Sequence, residues 1–448
     1  MKTVSLDMTK GPINKQILIF TLPLIFSNII QVLFNMADVA VVGRFAGAEA
    51  LGSVGSTVTL VVLFTGFLIG LGGGVNALTA LFIGAKSDKD VEETVHTSIL
   101  VCLFFGLLIM TSCFLLAGVF LRLLNTKVEL FDGALLYLRI YFCGMPALAL
   151  FNYGNGVFSA MGDTKKPLYY LSFSGALNVV LNLLFVIVFD LGVAGVAIAS
   201  IIAQYVSAAL VLNALIKRTD MCRLSLAKIR FNKEKAVRLC GLGVPAGLQN
   251  AIFQLANLFI QAGVNSFDAV VVEGNSAAAN ADGLVYTTMA SFYTACTSFV
   301  SQNLGAKNRE RIKKSLLVAM FDAFFIGAFW GILLLLFGRY FLNIFSADAN
   351  VIDTGLKRLT VMAFSYCVSA FMDCPIAASR GLGKTGMPTF IVIMGSCVFR
   401  IIWVYTIFRY FHTMESLYLL YVFSWTLTAV FELIYFAHAY KNTLRLTD

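Results

Sequence analysis

One carboxylate stands out because it lies in a long apolar segment that carries no other charge. Asp38 is close to the C-terminal end of residues 18–42. It completes a polar stripe, with spacings of three, four and three residues, whose other members are Asn28, Gln31 and Asn35. At about 100° per residue, these side chains share one face of a helix. A carboxylate in hydrocarbon is costly and usually faces a bundle interior or a cavity, where it serves transport. We therefore expect ion coupling at Asp38; the alternative is a structural acid paired with a donor such as Arg44.

The composition indicates that lipid is the solvent of this chain. Hydrophobic residues make up 59% of 448 positions and charged residues only 13%, whereas soluble domains carry roughly 25% charged residues. The nine cysteines lack metal or redox spacing and are expected to be packing residues, so we predict neither disulfides nor a metal site. The first apolar segment is too long for a signal peptide core and is expected to be a retained first transmembrane helix.

Hydropathy predicts an all-α membrane protein with twelve helical spans, each near or above the ~20 residues needed to cross a bilayer. They cover residues 16–42, 54–84, 96–121, 134–160, 167–190, 193–216, 239–264, 278–304, 314–338, 355–379, 388–409 and 416–439. If both termini are cytoplasmic, 24 Lys and Arg residues lie on the inner side and 8 on the outer side. This asymmetry predicts the orientation in the cytoplasmic membrane. The net charge of +9 is then expected to contact anionic lipid head groups rather than nucleic acid.

The sequence also contains a long-range repeat. Three groups of residues return 221 or 222 positions later: 84–86 (Gly-Ala-Lys) as 305–307, Gly162, Thr164 and Pro167 as Gly383, Thr385 and Pro388, and Pro23, Asn28 and Asn35 as Pro245, Asn250 and Asn257. Because each half has six spans, the repeat is predicted to be parallel, with a pseudo-twofold axis near the membrane normal. We predict an N-lobe (1–216), a cytoplasmic linker (217–238) and a C-lobe (239–448), with alternating access by movement of one lobe against the other.

Several of these motifs resemble the multidrug and toxic compound extrusion (MATE) family, in its DinF-like branch. They are residues 38–44 (Asp-Val-Ala-Val-Val-Gly-Arg), the two Gly-Ala-Lys turns, residues 162–167 and the matching residues 380–385. The resemblance covers nearly the whole chain. It implies an antiporter, not an enzyme, that exports amphipathic, often cationic compounds in exchange for protons or sodium ions.

Polar residues in spans 4 to 6 provide further candidates for the chamber around Asp38. One of them is Asn155 in span 4, and Gln31 of span 1 is expected to line the same chamber. By motif spacing, the resemblance places the N-lobe cation site on Asp38, Asn178, Asn182 and Ser200. Asn182 departs from the related pattern, which has a second acid there. A lone carboxylate that is partly desolvated binds a proton more readily than one in water, so we favour proton coupling, with sodium as the alternative.

The second half has its own stripe on span 7, formed by Asn250, Gln254, Asn257 and Gln261. Ile260 takes the position of Asp38, so the acid is not duplicated. Asp373 in span 10 is a secondary coupling candidate, and Arg400 in span 11 is its candidate charge partner. The alternative is a neutralised, structural pair. Three further acids are interpreted as interfacial or structural: Asp282, Asp322 and Glu432.

Substrate is expected in a cleft between the lobes, lined by amides and aromatic rings. The candidates are Phe34, Asn35, Asn152, Tyr153, Asn250, Phe253, Gln254, Asn257, Phe292 and Tyr293. Any of the Asn residues could instead form interhelical hydrogen bonds. Pro23 and Pro245 lie inside spans 1 and 7, where each allows either a hinge or a static kink. Residues 70–74 (Gly-Leu-Gly-Gly-Gly) lack the Lys of a phosphate loop and are expected to allow close helix packing.

Two other function classes fit the sequence less well. A lipid-linked saccharide flippase of the same wider superfamily would often have more spans and a cationic cavity, and few basic residues here lie within spans. A polytopic membrane enzyme would need clustered His or acidic residues, and the three histidines are dispersed: His96, His412 and His438. We therefore predict a monomeric exporter with no cofactor other than its coupling ion.

Overall fold

The computed structural model describes residues 6–445, with side chains as far as residue 443. Every regular element in this range is helical, so the all-α prediction is confirmed. The first half contains α1 (Ile13–Val41), α2 (Gly47–Gly84), α3 (Asp88–Leu123), α4 (Val128–Phe142), α5 (Met145–Ala160), α6 (Lys165–Leu183) and α7 (Gly192–Ile216). The second half contains α8 (Lys233–Val264), α9 (Ala269–Gly305), α10 (Arg309–Leu342), α11 (Ala349–Gly381), α12 (Gly386–Val392), α13 (Phe399–Trp403), α14 (Arg409–Phe411) and α15 (Met414–Arg445).

Helices α4 and α5 together cover the fourth predicted span, which is bent by 46° at their junction. Pro146 lies in the first turn of α5, where its missing N–H costs no helical hydrogen bond. A proline there would interrupt a helix continuing from α4, since it cannot donate to the preceding turn. The local sequence therefore explains why this span is broken rather than straight.

Four π-helical turns extend or join the α-helices of the described chain. Val42–Ala46 follows α1, Leu184–Val188 follows α6, and Ile393–Val398 and Val404–Phe408 flank α13. A π-turn closes i→i+5 hydrogen bonds, accommodates an extra residue and is frequent at functional sites. Each of these turns adjoins a helix that carries a candidate residue: Asp38, Asn182 or Arg400.

By length and apolarity, eight helical stretches of the described residues could cross a membrane, or nine if α4 and α5 form one span. One of these stretches, Ile13–Gly84, combines α1 and α2. Helices α8 and α9 are long enough to cross but are rich in Gly, Asn, Gln and Ser. The helices match the order of the twelve predicted spans, although not all of them are uniformly apolar.

Contacts divide the chain into two compact units whose bounds differ from the predicted lobes. The first unit includes Phe26–Ala251, and the second includes Met8–Ile25 and the residues from Ile252 onward. Each of the helices α1 and α8 thus begins in one unit and ends in the other. The division of the sequence into two halves does not predict that α1 and α8 each belong partly to both units. Their membership depends on which helices the first turns of α1 and α8 pack against.

Packing inside the second unit explains why the start of α1 belongs to it. The Arg311 guanidinium donates hydrogen bonds to the carbonyl oxygens of Met8 (2.9 Å), Lys10 (2.8 Å) and Gly11 (2.7 Å). Further along α1, the ring of Phe20 meets that of Phe299 on α9 edge-on, with centroids 5.9 Å apart. Three charge-assisted hydrogen bonds and a buried aromatic pair hold this segment in place.

Packing of α8 in the first unit depends on glycine. A Cβ atom on Gly74 of α2 would lie 2.7 Å from the Cα of Gly243 on α8. A Cβ on Gly72 would lie 2.8 Å from the carbonyl oxygen of Asn152 on α5. Small residues allow helix backbones to approach this closely. The close packing predicted for residues 70–74 is therefore present.

Gly74→Val is expected to destabilise the first unit by about 1–3 kcal/mol, because the added atoms overlap backbone rather than a movable side chain. Gly55→Val is the matched control, since it lies on the same helix and a Cβ there meets no atom within 4 Å. Thermal unfolding in detergent micelles measures both variants. Equal midpoints for Gly74→Val and Gly55→Val would contradict the packing argument.

Candidate cation site in the first unit

Four of the predicted coupling residues are joined by hydrogen bonds in the first unit. The Asn182 amide nitrogen on α6 donates to a carboxylate oxygen of Asp38 on α1. The same nitrogen lies 3.3 Å from Oδ1 of Asn178, one turn earlier on α6. The Asn178 amide nitrogen in turn lies 3.5 Å from the hydroxyl oxygen of Ser200 on α7. Three helices thus bring one carboxylate, two amides and a hydroxyl together.

Burial distinguishes the members of this group. Asn182 has no exposed surface, and Asn178 and Ser200 are buried, whereas Asp38 is partly exposed. The Asn182 carbonyl oxygen, Oδ1, is buried and has no hydrogen-bond partner. The site therefore has an acceptor oxygen available beside the only carboxylate in the group.

Two tyrosines on α4 are neighbours of Asp38 that the sequence analysis did not single out. Tyr137 and Tyr141 stack on each other with ring centroids 5.6 Å apart, and Asp38 is close enough to interact with both electrostatically. Their spacing of four residues, one helical turn, was the available signal. Among the described residues, no ion pair within 4.0 Å joins Asp38 to Arg44, the alternative partner considered from sequence.

Three other candidates from the first half lie outside this hydrogen-bonded group. Gln31 and Asn35 are exposed on α1, and Asn155 is half-buried on α5. The ring of Phe34 packs against Gly175 of α6. The polar stripe of α1 therefore contributes Asp38 to the hydrogen-bonded group, while Gln31 stays a coupling prediction and Asn35 a cavity prediction.

Three predicted cavity residues form hydrogen bonds with backbone carbonyl oxygens of the first unit. The Asn250 amide donates to the carbonyl oxygen of Gly66 on α2 (3.0 Å), which is an interhelical bond. The Asn152 amide bonds to Leu148 O on its own helix (2.9 Å). Tyr153 has no exposed surface and donates to the Val95 carbonyl oxygen on α3 (3.0 Å). Tyr153 is therefore inaccessible to a substrate in this structure, whereas Asn152 and Asn250 stay cavity predictions.

The secondary candidates lie in the second unit without a direct ion pair. Arg400 has no exposed surface, and its hydrogen bonds go to Ser424 Oγ (3.3 Å) and Asn257 Oδ1 (3.1 Å). Asp373 is half-buried beside the Tyr293 hydroxyl, and its Oδ2 has no hydrogen-bond partner. The two charges interact only at longer range. Of the other second-unit cavity candidates, Phe292 is buried and Gln254 is half-buried.

Comparison with known proteins identifies the family. The MatE family model matches this chain twice, at residues 23–184 and 245–406, which is more than half of its length. The chain belongs to the MATE family. The two matches begin 222 residues apart, so the predicted repeat of two halves is confirmed. The chain is accordingly a multi-pass membrane transporter.

Individual MATE relatives and structures support this assignment. The probable multidrug resistance protein YpnP of Bacillus subtilis is 30% identical over 80% of this chain and 80% of its own. The probable multidrug resistance protein NorM of Thermotoga maritima is 24% identical over 89% of this chain and 86% of its own. A solved MATE transporter in an outward-facing conformation is similar in fold, with a TM-score of 0.91, 21% identity and 99% of both chains covered.

A buried ion pair in the second unit of this MATE chain was also missed from sequence. The Arg358 guanidinium on α11 donates to a carboxylate oxygen of Asp282 on α9, and also to Asn275 Oδ1. Arg358 lies within the tenth predicted span, residues 355–379, but was not singled out from the sequence. The prediction that Asp282 is structural agrees with this pairing.

Glu432 on α15 has no exposed surface, and neither of its carboxylate oxygens has a partner among the described residues.

Proposed function

We propose that this MATE-family chain is a cation-coupled antiporter that exports amphipathic small molecules, typically cationic, across the cytoplasmic membrane. The coupling ion, a proton or sodium, would enter through the site at Asp38. The observation that carries the proposal is the hydrogen-bonded series from Ser200 through Asn178 and Asn182 to Asp38. The names of the relatives, which describe multidrug resistance, support the substrate class.

The chemistry of the site suits reversible binding of a small cation. One carboxylate gives the site a single negative charge, which one proton or one sodium ion neutralises. A protonated Asp38 would gain a donor, and the unpartnered Asn182 Oδ1 is an acceptor beside it. A sodium ion would instead use the carboxylate, amide and hydroxyl oxygens, which are hard donors. We favour the proton because the group contains one acid only.

Coupling requires that the occupied and empty sites favour different conformations. A charged carboxylate needs polar contacts, whereas a neutralised one tolerates apolar surroundings. The proline in α1, Pro23, lies just before Ile25, where α1 passes from the second unit to the first. Bending at Pro23, and at Pro245 in α8, would translate the charge of Asp38 into alternating access of the two halves.

We further propose cytoplasmic termini, a monomer, and contact of the basic linker with lipid head groups.

The proposal is tested by ethidium export from proteoliposomes under an imposed gradient of protons or of sodium. We expect one gradient to drive export well above the rate without a gradient, and that gradient names the ion. A protonophore or a sodium ionophore serves as the matched control for each case. Export that ignores both gradients would overturn cation coupling.

A further inference from the structure

Arg400 is a fully buried cation with no carboxylate of residues 6–443 within ion-pair distance. Its guanidinium carbon instead lies over three aromatic rings, at 4.5 Å from the Phe253 centroid, 4.8 Å from Tyr421 and 5.8 Å from Trp425. Aromatic faces attract a cation, and more strongly when water is excluded. We call Arg400 and these three rings the arginine cage.

The cage satisfies the positive charge but leaves hydrogen-bond donors unused. In the part of the chain that the structure describes, Arg400 Nη2 is buried without a hydrogen-bond partner, and so is the indole nitrogen Nε1 of Trp425. Leaving buried donors unpaired costs free energy, most of all on a charged group. Both donors belong to one cage and both lack an acceptor. The ligand that would satisfy them carries anionic oxygen atoms.

The repeat shows which position Arg400 occupies. Pro167 and Pro388 are 221 residues apart, whereas the two family-model matches end 222 residues apart, at 184 and 406. The π-turn Ile393–Val398 lies between Pro388 and Arg400 and accommodates one extra residue. Past this turn, Arg400 takes the position of Asn178.

The second half therefore has a fixed cation where the first half has an amide of the proposed cation site. It also has Ile260 in place of Asp38, while Asn35 is retained as Asn257, a hydrogen-bond partner of Arg400. A site with a permanent positive charge and no acid from that helix repels sodium ions and protons. The same position in the two repeats thus has opposite charge preferences.

We propose that the arginine cage binds the anionic group of a substrate that also carries an aromatic ring. The substrate class is aromatic molecules bearing a phosphate, sulfonate or carboxylate, including those that carry a cationic group elsewhere. A planar guanidinium pairs such groups through two parallel hydrogen bonds. This inference rests on the proposed export function and names part of its substrate class.

The exposure of the cage indicates how a ligand reaches it. Phe253 and Asn257, both on α8, are partly exposed, whereas Tyr421, Ser424 and Trp425 on α15 are buried. A ligand would approach from the α8 side, displace the Phe253 ring from the guanidinium and stack its own ring there. Exchange of one aromatic face for another keeps the cation–π contact while adding the anion.

A matched pair of fluorescent probes tests the inference. Flavin mononucleotide and riboflavin share one ring system and differ by a phosphate, so their binding to the full chain in nanodiscs isolates the anion. We expect the mononucleotide to bind at least about tenfold more tightly, as a charge-assisted hydrogen bond provides. Arg400→Gln is expected to remove this preference, whereas Arg400→Lys keeps part of it. Arg409→Gln, an exposed arginine in the same span, is the control and is expected to keep the full preference.

The inference is overturned if wild type binds both probes equally or neither, or if well-folded Arg400→Gln keeps the preference. If Arg400→Gln does not fold, the test uses the phosphate preference of wild type and its expected partial loss in Arg400→Lys. Failure of the proposed function is distinguishable, because Asp38→Asn is expected to retain the phosphate preference. Wild type that prefers the phosphate probe but shows no export driven by either gradient refutes the export mechanism alone, and wild type with driven export but no phosphate preference refutes the arginine cage alone.

Discussion

Asp38→Asn is expected to abolish the acceleration of export by an ion gradient, lowering the driven rate by about 5–150-fold, the factor that corresponds to a coupling free energy of about 1–3 kcal/mol. The asparagine side chain has the size of aspartate but cannot bind a proton, and its neutral oxygen attracts sodium weakly. Transport down a substrate gradient is expected to continue. The measurement is the initial rate of ethidium export from proteoliposomes, with and without the gradient.

The fold of this variant is expected to remain intact. The Asn182 amide can donate to the new amide oxygen as it does to the carboxylate, and removal of a charge from an apolar span carries no desolvation cost. Asp190→Asn is the matched control, because it makes the same change at an exposed residue of the first unit. Full driven export by Asp38→Asn would move the coupling site to Asp373, which Asp373→Asn then tests.

The candidate site illustrates what sequence can predict in such a chain. The helical spacing of the α1 stripe, together with the spacing of family motifs, selected Asp38, Asn178, Asn182 and Ser200, and the structure places all four in one hydrogen-bonded series. Polar residues in an apolar span are few and must find partners. Their positions are therefore informative even without an alignment.

The sequence positions of aromatic residues predicted their surroundings far less well, for a physical reason. Tyr153 was predicted to line a cavity but lies in the core, bonded to the Val95 carbonyl oxygen, whereas Tyr137 and Tyr141 beside Asp38 were not selected. Lipid, helix neighbour and cavity all accept an aromatic ring, so hydropathy does not separate the three environments. Only the packing of the neighbouring helices decides among them.

Hydropathy also does not predict irregularities of the backbone. The π-turn Ile393–Val398 changes which face of the span Arg400 occupies, yet it adds a single residue to an apolar run. The carbonyl oxygens of Met8, Lys10 and Gly11 that Arg311 contacts precede α1, and a backbone acceptor leaves no pattern in the sequence. Apolar periodicity predicts that a helix exists, but not how it is joined to its neighbours.

Arg358→Leu is expected to destabilise the second unit by about 3 kcal/mol, because it leaves the Asp282 carboxylate, whose side chain is only 23% exposed, without its counter-charge. Arg358 is 6% exposed and links Asp282 to Asn275 on α9. Tyr366 of α11 donates to the other Asp282 oxygen (2.5 Å), and Tyr418 of α15 donates to Asn275 Oδ1 (3.1 Å). One side chain thus organises contacts among three helices. The midpoint of thermal unfolding in detergent micelles measures the effect.

Two further variants separate charge from lost packing. Arg339→Leu removes an exposed arginine of the same unit, 3.7 Å from Asp353, and is expected to cost no more than about 1 kcal/mol. Adding Asp282→Asn to Arg358→Leu removes both buried charges, so it is expected to recover about 0.5–3 kcal/mol relative to Arg358→Leu alone. If the double variant were as unstable as Arg358→Leu, lost packing of the long arginine side chain would be the cause rather than an uncompensated carboxylate. Recovery would instead show that this pair stabilises the bundle only as a pair, since each charge is costly in the absence of the other.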